Sequence, residues 1–176
     1  MARALAVAAC AALLGCAMRA PDPHDADVLY LPTPPAVVEA MLDLADIRPG
    51  DVLYDLGAGD GRIVIAAARR YGVRAVGIEL DTRKVAEARA NVARAGLGDR
   101  VEIRHGDLFD TDLGEASVVT LFLFPELNAR LAPKLRRELQ PGTRVVSHRF
   151  GLGDWPPDRR IEARGHPLLR WTVPPR

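Results

Sequence analysis

Between residues 55 and 61 the chain reads Asp55-Leu56-Gly57-Ala58-Gly59-Asp60-Gly61. Alternating glycines let a backbone turn tightly and come close to a ligand. Glu79 follows 18 positions after Gly61, and Asp107 stands further on in His105-Gly106-Asp107-Leu108. An acid at the distance of Glu79 can accept hydrogen bonds from both hydroxyls of a ribose. The chemistry is therefore nucleotide binding. The spacing is not the dinucleotide fingerprint G-x-G-x-x-G, since Arg62 stands where the third glycine belongs and Gly61 falls one position early. A phosphate-binding P-loop is excluded, because no Gly-Lys-Ser/Thr follows. Asp55 decides the charge of the ligand. A carboxylate beside a pyrophosphate is repelled, whereas one beside an ammonium or sulfonium is attracted. S-adenosylmethionine carries both cations and no phosphate, so charge favours it over NAD.

Such a turn needs a strand before it and a helix after it. Val52 to Leu56 reads as a buried strand, and Ile63 to Tyr71 as a helix ending near Gly72. Arg74 to Leu80, Val101 to Arg104, Ala116 to Phe124 and Thr143 to Phe150 read as further strands. Ala36 to Ala45, Thr82 to Ala95 and Glu126 to Leu139 carry helical spacing, the last two closed by Gly96 and Pro141-Gly142. Two short candidates, Ile161 to Arg164 and Leu168 to Val173, flank His166-Pro167, which predicts a hairpin turning there. Alternating strands and helices predict an α/β fold, a Rossmann-like doubly wound, mostly parallel sheet in three α/β/α layers with a C-terminal hairpin. The turn after the first strand then lies at the carboxyl ends of the strands, where such sheets bind nucleotides. The helix behind it offers free N–H groups.

The chain has 176 residues, 48% of them hydrophobic and 27% charged, which is the balance of one globular domain. A net charge of +1 gives no field that would gather nucleic acid. The 24 basic residues are nearly all arginine, with Lys84 and Lys134 the exceptions. The two cysteines, Cys10 and Cys16, precede the domain, so neither a disulfide framework nor a cysteine metal site is expected in it. The four histidines lack metal-ligand spacing. Ala4 to Leu14 is an apolar run of 11 residues, shorter than the about 20 a spanning helix needs. It fits the hydrophobic stretch of a signal peptide. Pro21 to Pro35, rich in Pro and Asp, reads as an extended tether.

Three resemblances extend this reading. Leu13-Leu14-Gly15-Cys16 resembles a bacterial lipoprotein signal, which implies cleavage before Cys16 and lipid on its thiol. The chain then divides into a signal (1–15), a tether and cofactor-closing segment (16–35) and a catalytic domain (36–176). The implied location is a membrane-anchored protein facing the periplasm; translation from a later start would leave it cytoplasmic. The glycine turn resembles motif I of class I S-adenosylmethionine-dependent methyltransferases, with Glu79 matching the ribose acid and Asp107 the adenine-binding acid. Gly57, Gly59, Asp60, Gly61, Leu80 and Leu108 complete the contacts that this implies. Finally, Tyr30-Leu31-Pro32-Thr33-Pro34-Pro35, Asp55 to Ala68, and Val145-Val146-Ser147-His148-Arg149-Phe150 with Trp155 are similar to a subfamily of protein lysine methyltransferases. Its mitochondrial members act on the c-ring protein of ATP synthase and on the adenine nucleotide translocase. That similarity implies a lysine in a membrane-proximal protein substrate, with Tyr30 and Thr33 closing over the methionine end of the cofactor. It also implies a substrate channel of Phe122, Phe124 and Pro125, with Arg149 and Trp155 at its mouth.

Plainer readings stand beside these. The glycines serve any tight turn, Asp107 caps a helix near Leu108, and Thr33 caps one starting at Pro34 or Pro35. Phe122 and Phe124 pack a strand, His148 is an ordinary strand residue, and Glu126 is a favourable charge in a first helical turn. No residue stands out as a general base, so no catalytic residue is assigned. Two other functions are carried forward: a small-molecule methyltransferase, which needs more chain for a lid, and a lipid-anchored module that binds cofactor without turnover. The latter is motivated by a conflict, since an outward-facing protein has no evident supply of S-adenosylmethionine. A nucleic-acid amino-methyltransferase is disfavoured, because Leu121-Phe122-Leu123-Phe124-Pro125 lacks the leading Asn or Asp of the related motif.

Overall fold

The computed structural model describes residues Leu31 to Pro175. The signal segment, Cys16 and Tyr30 lie outside the described residues. Helix α1 (Pro35–Ala45) leads into β1 (Val52–Leu56), α2 (Arg62–Tyr71), β2 (Arg74–Glu79), α3 (Thr82–Ala95) and β3 (Val101–His105). Then follow β4 (Val118–Leu121), α4 (Pro125–Glu138), β5 (Arg144–His148), β6 (Arg159–Ala163) and β7 (His166–Thr172). The seven strands of the described residues form one sheet in the order β3-β2-β1-β4-β5-β7-β6. Every pairing up to β5 is parallel, and β7 joins β5 and β6 antiparallel.

The chain steps outward from β1 to β3, then returns to lay β4 on the other side of β1. Parallel crossovers are right-handed, so reversing direction moves the crossover helix to the opposite face. One apolar cluster accordingly joins Val38 and Met41 of α1, Val64 of α2 and Val85 of α3 to Leu53, Ala75, Val118 and Val146. The other joins Leu131 and Leu135 of α4 to Tyr54, Val76, Val119, Val145 and Trp171. Successive strand residues alternate between the two clusters, as the period of two requires. The reversal also opens a crevice at the carboxyl ends of β1 and β4.

Local chemistry explains the helix ends. Pro35 occupies the first turn of α1, where its missing N–H costs nothing. Asp81 caps α3, accepting from the amides of Arg83 and Lys84. Three sequence boundaries need correction. The fourth strand ends at Leu121, paired with Leu56, where β1 itself ends; Phe122 to Phe124 leave the sheet although their apolar run reads as strand. The fifth ends at His148, because Arg149 turns away with φ 72°. The hairpin turns at Arg164-Gly165, both left-handed (φ 54° and 77°), between the paired Ala163 and His166. Pro167 sits inside β7. Its carbonyl accepts from Arg149 beyond the last β5 pair, so its missing N–H removes no rung of the ladder.

Candidate cofactor site

Alternation places Asp55 on the α2 side of β1, the side of Leu53. The loop folds back on β2: the amides of Gly57 and Ala58 both donate to the Ile78 carbonyl at 2.9 Å. Gly57, Gly59 and Gly61 all have positive φ (82°, 53° and 80°), a region that glycine enters without strain. A side chain at Gly57 would stand 2.8 Å from Leu123 Cδ2. The Gly59 amide donates to Glu79 Oε2 at 2.8 Å, and Glu79 Oε1 accepts from Leu80 and Asp81 at 2.9 Å each. A carboxylate offers about four acceptor directions, so Glu79 keeps capacity for a ribose hydroxyl.

Asp55 is 2% exposed. Burial raises its pKa to about 7, and the nearby Glu79 and Asp60 carboxylates add to this against the Thr120 hydroxyl, which donates to it at 2.8 Å. A buried acid with a neutral partner and an open cavity before it is a place for a cation. Asp107 Oδ1 accepts from the Phe109 amide at 2.8 Å, fixing a turn rather than a helix, while the residue borders the cavity.

These residues border one cavity of about 450 Å³ at the switch point. Thr33, Asp55, Gly57, Asp60, Glu79, Leu80, Asp107, Leu108, Phe122, Phe124 and Arg149 all line it. Gly59 and Gly61 are buried and shape the loop from beneath. Two channel residues are not brought there. Pro125 is the exposed first residue of α4, and Trp155 is 7% exposed in the core, its carbonyl accepting from Trp171 Nε1 at 2.8 Å. The family resemblance places Trp155 at the mouth, but its bridge with Leu152 folds it under α4 instead.

Several lining residues gave no sequence signal: Lys84, Phe109, Leu127 and Arg130. Phe122 lies 4.0 Å from the His148 ring and 6.5 Å from that of Phe150, so the strand-end aromatics face an apolar end of the cavity. Thr33 does not cap α1, whose N-cap is Pro34. Its hydroxyl lies 3.1 Å from His148 Nδ1 instead. Burial, then His166 and Arg149, pushes the pKa of His148 down to about 4, which keeps the ring neutral.

Fold and site define an S-adenosylmethionine-dependent methyltransferase with a doubly wound sheet. The lining fits that cofactor in kind, since the carboxyls of Asp55, Glu79 and Asp107 offer acceptors for its ammonium, hydroxyl and amino groups, and Leu80 and Leu108 offer apolar surface. The ANTKMT methyltransferase domain matches residues 55–159, and the chain belongs to that family. It is 47% identical over 141 residues to a protein-lysine N-methyltransferase of Saccharolobus islandicus, covering 80% of this chain and 86% of the relative. It is 44% identical over 121 residues to the mouse adenine nucleotide translocase lysine N-methyltransferase, covering 68% of this chain and 52% of that one. The human lysine N-methyltransferase for the ATP synthase c-ring protein is 36% identical over 129 residues, with 73% and 54% covered. The chain thus spans about half the length of the mouse and human proteins. A Salinibacter ruber crystal structure, described as an RNA methyltransferase with S-adenosyl-L-homocysteine, is 55% identical with a TM-score of 0.81, covering 83% and 95% of the two chains.

Proposed function

We propose that the protein N-methylates lysine side chains of a protein substrate at a membrane surface. The observation that carries the lysine is the apolar end of the cavity, where Phe122, Phe124, Leu127 and Phe150 continue from the Asp55 end. Such a wall accepts the aliphatic stem of a lysine. A free lysine amine has a pKa of about 10.4 and is protonated at neutral pH. An apolar passage disfavours the ammonium form and delivers the neutral nucleophile. Bound S-adenosylmethionine supplies an activated methyl group. The chain's own task is alignment and exclusion of water. His148 is no base for the amine, since both its ring nitrogens are engaged, with Thr33 and His166. The names of the archaeal, mouse and human relatives support a protein lysine target. The apolar run Ala4 to Leu14 and Cys16 support the membrane. Among the described residues no helix is long and apolar enough to cross one.

A second reading, methylation of RNA, is favoured by the description of the Salinibacter ruber protein. The test is transfer from methyl-labelled S-adenosylmethionine by the purified full chain. Its acceptors are a bacterial membrane-protein fraction, total RNA and a small-molecule extract. Label is expected in protein and, after acid hydrolysis, in methylated lysine. Label confined to RNA or to small molecules would replace the reading, and binding without transfer would make the chain a cofactor-holding module.

A further inference from the structure

Thr33 is 3% exposed although its neighbours Leu31, Pro32 and Pro34 are open to solvent. Two bonds hold it down from different parts of the fold. Arg62 Nη1 donates to the Thr33 carbonyl at 2.9 Å. The Thr33 hydroxyl lies 3.1 Å from His148 Nδ1. Arg62 is itself aimed by Asp60 of the glycine loop, with Nε and Nη2 at 2.9 Å and 2.6 Å from its two carboxylate oxygens. His148 is 1% exposed, its Nε2 is 2.9 Å from His166 Nδ1, and its ring covers Phe122. Leu31, Pro32 and Thr33 line the cavity alongside Asp60 and Arg62 on one side and Phe122 on the other.

We propose that Arg62 and His148 are positioning residues which pin Leu31–Thr33 as a strap across the cavity, joining the cofactor loop to the acceptor end. The role of Arg62 needs a planar fork. One edge grips a carboxylate while another nitrogen reaches a carbonyl, a geometry that lysine does not reproduce. The role of His148 needs two ring nitrogens. A neutral imidazole donates through one and accepts through the other, so it joins the strap hydroxyl to the hairpin without carrying charge. Neither residue touches the reacting atoms. Because the strap leans on both ends at once, loosening either latch opens the cofactor site. The inference concerns the cofactor site and holds whichever acceptor is methylated.

The test uses the full chain with S-adenosyl-L-homocysteine as probe, read by calorimetry and by hydrogen exchange. Arg62→Met is expected to weaken binding about tenfold, the scale of one charged hydrogen bond. Arg62→Lys is expected to recover less than half of that loss on a logarithmic scale. In both, amides of residues 31–38 exchange faster with the probe bound, while those of α3 and β3 keep wild-type rates. Thr33→Val and His148→Asn are expected to open the same segment. Since both latches hold one strap, the Arg62→Met/Thr33→Val double variant loses no more affinity than its weaker-binding single. Arg69→Met, in the last turn of α2, serves as a control at wild-type affinity. Full rescue by Arg62→Lys, additive losses in the double variant, or unchanged exchange at 31–38 would overturn the strap. Failure of the wild-type chain to bind the probe would overturn the cofactor site and the strap with it.

Discussion

Asp55 is an ionisable carboxyl buried at the edge of the cavity. Its carboxyl titrates near pH 7 in the folded chain, against about 4 when unfolded. The folded state therefore holds a proton that the unfolded state has released over that window. This favours folding fully below pH 4, and the advantage is lost as pH rises through 7. Asp55→Asn removes that dependence. Without cofactor, urea unfolding is expected to show the variant stabilised relative to wild type at pH 8 by on the order of 2 kcal/mol, and much less at pH 5. With the cofactor the order reverses. If the ionised carboxylate pairs with the cofactor's cation, Asp55→Asn is expected to bind S-adenosylmethionine at least tenfold more weakly in calorimetry. Equal stability gains at both pH values, or unchanged affinity, would refute the cation-binding role. The burial of Asp55 was legible from its place in an apolar strand just before the glycines. Its Thr120 partner was not, because that pairing spans 65 positions.

At the scale of elements, the glycine loop depends on the strand beneath it. A Cβ at Gly77 would stand 2.8 Å from Ala58 Cβ and 3.0 Å from Ile103 Cδ1. Ala58 has little freedom to move, since its amide and that of Gly57 are bound to Ile78. Gly77→Ala is therefore expected to lift the loop, costing about 1–3 kcal/mol in urea unfolding and weakening S-adenosyl-L-homocysteine binding in calorimetry. Wild-type values for both would show that the loop has room to spare. The helices were readable because breakers are local: Gly72 and Gly96 mark the ends of α2 and α3 within the chain. Strand ends were less so. The run Leu121 to Phe124 is apolar throughout, and only the end of β1 decides that pairing stops and a cavity wall begins. Likewise His166-Pro167 looks like a turn until the register of β6 and β7 assigns the turn to Arg164-Gly165.

At the scale of the molecule, the sheet divides the domain into a face covered by α1, α2 and α3 and a face covered by α4. Among the described residues, the large apolar side chains exposed at its surface, Leu31 (50%), Leu80 (40%) and Phe124 (41%), all border the cavity. Anchoring at Cys16 is tested by palmitate labelling in a bacterial host. Label in the wild-type chain and its loss in Cys16→Ser are expected, and equal labelling of both would rule out lipid at that residue.

The sequence by itself determined the α/β class, the glycine turn after the first strand, and a cationic cofactor. Each of these rests on residues a few positions apart, whose periodicity, backbone freedom and formal charge do not wait for folding. The tertiary structure alone decided that Thr33 meets His148 across 115 positions, that Trp155 belongs to the core, and that Arg62 reaches the strap. Those outcomes are set by which strands become neighbours and by where each one stops. That is a property of the packed sheet, to which no single stretch of chain holds the answer.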